Sequence, residues 1–311
     1  MSKVATREAY GKALAELIVE NERIVVLDAD LTKSTKTIDA KKVCPERHFN
    51  MGIAEGNMMG VAAGLAASGK IVYASSFAMF AAGRAFEQIR NSIGYPHLNV
   101  KVCATHAGIS VGEDGASHQS IEDIALMRTI PGMTVVQPCD EMETKAAIKA
   151  ISEIDGPCYV RLGRCPVEKV YENEDSFQLG KGVVLNKGSK VAIIATGLMV
   201  QEAIKAKEEL VKQGINPTVV NIHTIKPIDR ELLISLAEDH ELIITCEEHS
   251  VIGGLGSAVC EVLSPYNLCK IKMIGIQDTF GESGNPNDLL IKYGLTARHV
   301  ADITLEACRE I

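Results

Sequence analysis

Two periodicities alternate along this chain, and that alternation limits it to very few architectures. Apolar residues in ATREAYGKALAELIVEN recur at helical spacing, and the next run, ERIVVLDADL, is a short continuous apolar block that ends in polar residues. The exchange continues through a Gly- and Ala-rich helix (EGNMMGVAAGLAASG), a strand (KIVYASS), a helix (MFAAGRAFEQIRNSI) and a strand (NVKVCATHA). It then runs on through IEDIALMRTI, MTVVQP, EMETKAAIKAISEI and CYVRLG. Strand blocks this apolar cannot face water on either side, so they predict a mostly parallel sheet with helices on both faces. After Arg164 the pattern breaks into the acidic, turn-rich VEKVYENEDSFQLGKGVVLNKGS, the composition of a linker with room for one small hairpin. Four further apolar strands follow, KVAIIATG, PTVVNIHTI, ELIITCEE and KIKMIGI, separated by helices. The expected class is α/β with two domains, residues 1–166 and 190–311, joined by a linker at 167–189, each a mostly parallel sheet with helices on both faces. A length of 311 residues suits two cores.

Charge and cysteine usage exclude several classes of function. Lys plus Arg total 32 against 40 for Asp plus Glu, a net charge of -8, so the broad basic surface of a nucleic-acid or anionic-membrane binder is missing. No apolar stretch reaches membrane-spanning length, and MSKVATREAYGKALAELI lacks the pattern of a signal peptide. Nine cysteines never fall as CxxC, and most lie in apolar runs such as VKVCATH, where they read as small buried hydrophobes rather than a disulfide framework. A reduced, cytoplasmic protein is expected.

Ligands of parallel sheets sit beyond the carboxyl ends of the strands. Here those ends carry DADLTKS, SSF, THAGISVGEDGASHQ and RLGR, all in the first domain. The third is the densest polar cluster, with His106, Glu113, Asp114, His118 and Gln119 among glycines and alanines that let backbone approach a ligand closely. An arbitrary loop of this kind is a surface turn with Ser117 or His118 capping the next helix. Two imidazoles and two carboxylates at a strand end point instead to a site. No HxxxH, HxxE or CxxC pair supports a metal, and none is expected on this chain. Glu55 opens a helix of small apolar residues. An acid there suits the helix dipole, but its neighbours Ile53, Ala54, Met58 and Met59 also predict burial and a raised pKa. Phe77 and Phe80, three apart after a strand, read as core packing rather than as a stacking platform. Arg7, Arg84, Arg90, Arg161 and Arg164 are candidate anion anchors. VIGGLGSAV fails the GxGxxG pattern, which argues against a dinucleotide site.

Taken together, GIAEGNMMGVAAGLAASG, SSFAMFAAG, THAGISVGEDGASHQSIEDIALMRTIPGM and PTVVNIHTIKPID resemble the pyrimidine-binding and C-terminal domains of transketolases, from residue 3 to the end. The resemblance implies thiamine diphosphate as cofactor. It implies that Glu55 hydrogen-bonds N1′ of the aminopyrimidine and so promotes loss of the C2 proton, and that Phe77 and Phe80 line the pyrimidine pocket. A third aromatic usual in the family falls at Gly83, where Arg84 and Phe86 are the candidates to rebuild the wall. Arg7, Asp30, Ser34, His106 and Arg164 match positions that hold the sugar phosphate, and Asp114 and His118 match those that contact hydroxyls near the reacting carbon. Glu55, Asp114 and His118 are thus the catalytic candidates. Guanidinium and imidazole suit phosphate, and a carboxylate suits hydroxyl orientation.

The resemblance also implies an absence. Transketolases carry a GDG segment followed by Asn that holds Mg2+ and the cofactor diphosphate, and no such segment occurs here. The chain therefore resembles the C-terminal half of a split transketolase. It is expected to pair with an N-terminal subunit that ligates the Mg2+, to form a pair of heterodimers, and to be silent alone. With that partner it would transfer a two-carbon ketol unit from a ketose phosphate to an aldose phosphate. Two alternatives remain at this stage: a deoxyxylulose phosphate synthase-like half-enzyme with a different donor, and a non-catalytic scaffold. For the second domain the expected role is subunit contact and stability.

Overall fold

Alternate residues of single strands feed opposite sides of the first sheet. Ile24 and Val26 of Ile24–Asp28, with Ile71 and Tyr73 of Ile71–Phe77, enter a core shared with Tyr10, Leu14, Ile148 and Ile151. Val25, Leu27, Val72 and Ala74 point the other way, into a core with Met58, Met59, Ala62 and Met127. This two-residue period with both faces covered is what the uninterrupted apolar blocks require. In the computed structural model, which describes residues 3–310, the first sheet has seven strands in the order Thr224–Lys226, Thr134–Val136, Cys158–Arg161, Val100–Thr105, Ile71–Phe77, Ile24–Asp28, His48–Asn50. All pairs are parallel except the first. The second sheet runs Lys270–Ile276, His240–Ser250, Lys190–Ala195, Thr218–Asn221, Val183–Asn186, parallel except for its last strand. It repeats the two-sided pattern, with Val191, Ile193 and Ala195 on one face and Ala192 and Ile194 on the other.

Three features depart from the sequence expectation. The segment expected to be one second-domain strand, PTVVNIHTI, divides at Ile222 and His223. Thr218–Asn221 stays in the second sheet, while Thr224–Lys226 crosses over and pairs antiparallel with Thr134–Val136 of the first. Val183–Asn186, within the expected linker, forms the edge strand of the second sheet. The helix expected over MFAAGRAFEQIRNSI opens into wider π turns at Met79–Arg84 and Ile89–Gly94, a distortion that is rare in ordinary helices and frequent at functional sites.

A buried ion pair ties the domains together. Arg161, a candidate anion anchor in the sequence, is 1% exposed. It donates to Asp123 through Nε (2.8 Å) and Nη2 (3.2 Å), and also to the carbonyls of Ser120 and of Glu248 across the domain seam, both at 3.0 Å. Nε and Nη2 are both engaged internally, so the face of the guanidinium that they present is committed to Asp123 and the two carbonyls. Burial favours the neutral acid of Asp123, but Arg161, His249 and the Tyr159 hydroxyl outweigh it and hold the carboxyl below the usual range. Replacing Asp123 by Ala would strand this cation, and the expected cost is about 3–5 kcal/mol, read as a lower urea midpoint. A midpoint unchanged from wild type would contradict this role.

Candidate functional site

Strand register assembles the first part of the site. Phe77 and Thr105 are paired residues at the ends of neighbouring parallel strands, so the next residue, His106, falls beside the Phe77 ring. The two rings stack with centroids 3.8 Å apart and planes 25° apart. Phe80, in the π turn that follows, lies 5.7 Å from Phe77 at 21°. Arg84 places its guanidinium carbon 4.2 Å from the Phe80 centroid. Its Nη1 donates to both oxygens of Glu55 at 3.1 Å. His118 approaches edge-on, 5.1 Å from Phe80 and 6.4 Å from Phe77. The result is one ladder of flat groups, His106–Phe77–Phe80–Arg84, ending on a buried carboxylate.

Glu55 is buried as its apolar neighbours predict, but it meets a cation as well as methyl groups. At Gly83 a Cβ would collide with the terminal methyl of Met79. A thioether therefore fills the wall expected to be aromatic, Arg84 covers Phe80, and Phe86 packs against the first-domain core.

A basic end lies at the other side of the ladder. His106 adopts a left-handed φ of 57°, and its Nδ1 lies 2.8 Å from the Thr105 hydroxyl. Burial first, then the nearby charges of Arg7, Arg164 and His118, push its imidazole down to about 3, which leaves it neutral. Arg7 donates from Nη1 to the Ser34 carbonyl (2.8 Å), while its Nε is buried with no partner, the condition of a donor awaiting an acceptor. Arg164 donates to the Val111 carbonyl (2.5 Å) and to Glu113 (3.1 Å).

Asp30 is exposed at φ 63° and is tied to Asn50 by two hydrogen bonds of 3.0 Å. The turn carrying Asp30 and Ser34 is organised by buried Asp28, which accepts from the Leu31 N–H (2.6 Å) and the hydroxyls of Thr35 (2.6 Å) and Thr37 (3.0 Å). Ser34 engages Arg7 through its backbone carbonyl. Asp114 is exposed on the loop, and none of the described hydrogen bonds engages its carboxylate.

The second domain sets the shape of the His106–Gln119 loop, a role beyond general stability. Buried Glu248 accepts from the Ser110 N–H (2.7 Å), and Gln119 Nε2 donates to the carbonyls of Ile109, Gly112 and Glu282. The Ser283 hydroxyl donates to the Glu113 carbonyl at 2.6 Å. Gly108 has φ 82°, and a Cβ there would collide with the Glu248 carboxylate. Sequence reasoning missed Glu248, Glu282 and Ser283, because contacts across more than a hundred residues leave no local pattern. The glycines of VIGGLGSAV have a comparable structural use. Leu255 and Gly256 donate their N–H groups to buried Glu247 at 2.6 and 2.8 Å, so the turn cradles the protein's own carboxylate. Among the described residues no group of three His, Cys, Asp or Glu is arranged to hold a metal ion. Nor is any helix long and apolar enough to cross a membrane.

Comparison with known proteins identifies the two domains. Residues 2–168 match the transketolase pyrimidine binding domain, and residues 180–300 match the transketolase C-terminal domain. The chain belongs to the transketolase family, which is thiamine diphosphate-dependent, and its role is that of a transferase acting as part of a transketolase. A putative transketolase C-terminal section from Methanocaldococcus jannaschii is 52% identical over 307 residues, covering 98% of this chain and 96% of that one. The 6-deoxy-6-sulfo-D-fructose transketolase subunit SqwH of a Clostridium species is 43% identical over 94% of this chain and 91% of its own length. A solved structure described as a split gene transketolase, inactive β4 tetramer, superimposes with a TM-score of 0.91 at 56% identity, covering 98% of both chains.

The position of His106 makes a pH prediction. Its ring resonances are expected to stay at their neutral values from pH 8 down to pH 5 in a nuclear magnetic resonance titration, because its proton affinity in the fold is about 3. A midpoint near 6.5, the value of a free imidazole, would contradict the buried stacked position.

Proposed function

We propose that this chain is the C-terminal subunit of a split transketolase and moves a two-carbon ketol unit from a ketose phosphate to an aldose phosphate together with an N-terminal partner subunit. The observation that carries this reading is the Glu55–Arg84–Phe80–Phe77 arrangement. A guanidinium lying over Phe80 while donating to a buried carboxylate is a planar, delocalised cation with an N–H donor, and so is a protonated aminopyrimidine. The residues present therefore fit the pyrimidine end of thiamine diphosphate. When bound, the cofactor supplies the nucleophilic carbon and the electron sink for breaking the bond beside a ketose carbonyl.

The remaining work falls to side chains of this chain and its partner. Phe77 and Phe80 give the ring an apolar face, and the Glu55 carboxylate holds a proton at its N1′ nitrogen. Arg7, His106 and Arg164 form the phosphate end. In the tautomer whose Nδ1 accepts from the Thr105 hydroxyl, neutral His106 presents Nε2–H to a phosphate oxygen, and Arg7 has an unspent buried N–H. Asp30 and Ser34 border that end, while Asp114 and His118 orient substrate hydroxyls beside the ladder. The partner subunit supplies Mg2+ ligation and the diphosphate cradle, which places active sites at subunit contacts in a pair of heterodimers in the cytoplasm. Relatives that match this chain over nearly their full length are a transketolase section and a transketolase subunit, which makes the deoxyxylulose phosphate synthase-like alternative the weaker one. Product analysis with pyruvate as donor separates the two.

Glu55→Gln keeps the size of the side chain and removes its charge. In the assembled complex it is expected to lower ketol transfer by about a hundredfold or more while the complex still forms. Turnover near that of the wild type would overturn the assignment of Glu55.

A further inference from the structure

Glu55 and Arg84 form an unequal pair. The Glu55 side chain is 3% exposed and fixed at the first position of the helix Glu55–Ala67, whereas the Arg84 side chain is 53% exposed. A buried carboxylate is kept only where something compensates its charge. The helix N-terminus contributes part of that compensation, and the only side chain that donates to Glu55 among the described residues is Arg84. The guanidinium is held by little else: one nitrogen on Glu55, and its carbon over Phe80. Gly83 beside it offers no side chain to pin it, and that space is taken by the flexible end of Met79. One partner is therefore locked in place, and the other is free to swing into solvent at little cost.

Occupancy gives the pair a direction. Nη1 bridges both carboxylate oxygens while the guanidinium covers Phe80, so Arg84 spends the same two surfaces that an incoming aminopyrimidine needs. We propose that Arg84 is a placeholder, which compensates Glu55 while the cofactor is absent and is exchanged for the aminopyrimidine ring when it binds, so that Glu55 is never an unpaired buried charge. This rests on the reading that Glu55 receives that ring. Arg84 is thus a positioning residue whose displacement subtracts from cofactor affinity. An ion pair with one exposed partner sets the size of that subtraction, on the order of three- to tenfold in the dissociation constant.

The test is a double-mutant cycle read by calorimetric titration of thiamine diphosphate with Mg2+ into the complex of this chain and its partner subunit, with thermal melts of the cofactor-free chain alongside. With Glu55 present, Arg84→Ala is expected to lower the melting temperature of the cofactor-free chain and to tighten cofactor binding by about three- to tenfold. In the Glu55→Gln background the same substitution is expected to do neither. Arg84→Lys, which keeps the charge without the flat stacking group, is expected to preserve the melting temperature and to tighten binding less, which guards against a folding defect in Arg84→Ala. Equal or weaker cofactor binding by both Arg84 variants overturns the placeholder role. If Glu55→Gln alone leaves affinity and activity at wild-type levels, the Glu55 reading falls and this inference with it. If Glu55→Gln weakens binding while the Arg84 variants leave it unchanged, only this inference falls.

Discussion

Arg161 is a cation in the middle of a protein with almost no water to solvate it, and its neighbours are arranged around that fact. It satisfies itself on the Asp123 carboxylate and on two carbonyls, one at the end of the His106–Gln119 loop region and one in the second domain. The second of these belongs to Glu248, whose side chain takes the Ser110 N–H from the same loop. A single buried guanidinium therefore joins the sheet, the loop and the second domain. The positive φ of His106, a non-glycine residue, is sustained because the structure around that loop determines its shape from several sides.

The loop in turn gives the ladder its geometry. Parallel register delivers Phe77 and His106 side by side at two strand ends, and the loop returns His118 edge-on to the same rings. Charge is distributed along the ladder: two guanidiniums with a neutral imidazole at one end, and a carboxylate under a third guanidinium at the other. One end suits a phosphate and the other a protonated heteroaromatic ring. The flat groups between them set a distance that neither charged end could fix by itself.

Much of this was legible in the sequence where the signal was local. The apolar strand blocks announced both sheets because strands covered on both faces leave no polar alternation. Glu55 announced its burial through Met58 and Met59. The glycines of THAGISVGEDG are expected to let backbone approach a ligand closely, and Gly108, Gly112 and Gly115 all adopt positive φ. What the sequence hid was pairing at a distance. Arg84 meets Glu55 across 29 residues, Glu248 meets Ser110 across 138, and Thr224–Lys226 leaves one sheet for another in three residues with no compositional mark. Arg161 reads like any arginine after a strand until its donors are counted. The wall at Gly83 is closed by a methionine four residues earlier.

The proposed reading gives the ladder a phosphate end and a pyrimidine end and leaves the rest of the active site to a partner subunit. The most direct test of that claim is ketol transfer from xylulose 5-phosphate to ribose 5-phosphate with thiamine diphosphate and Mg2+, measured for this chain alone, for a GDG-bearing N-terminal subunit alone, and for the two mixed. The account predicts activity in the mixture and none from either chain alone. Activity from this chain alone, or silence in a mixture shown to form a complex, would contradict it.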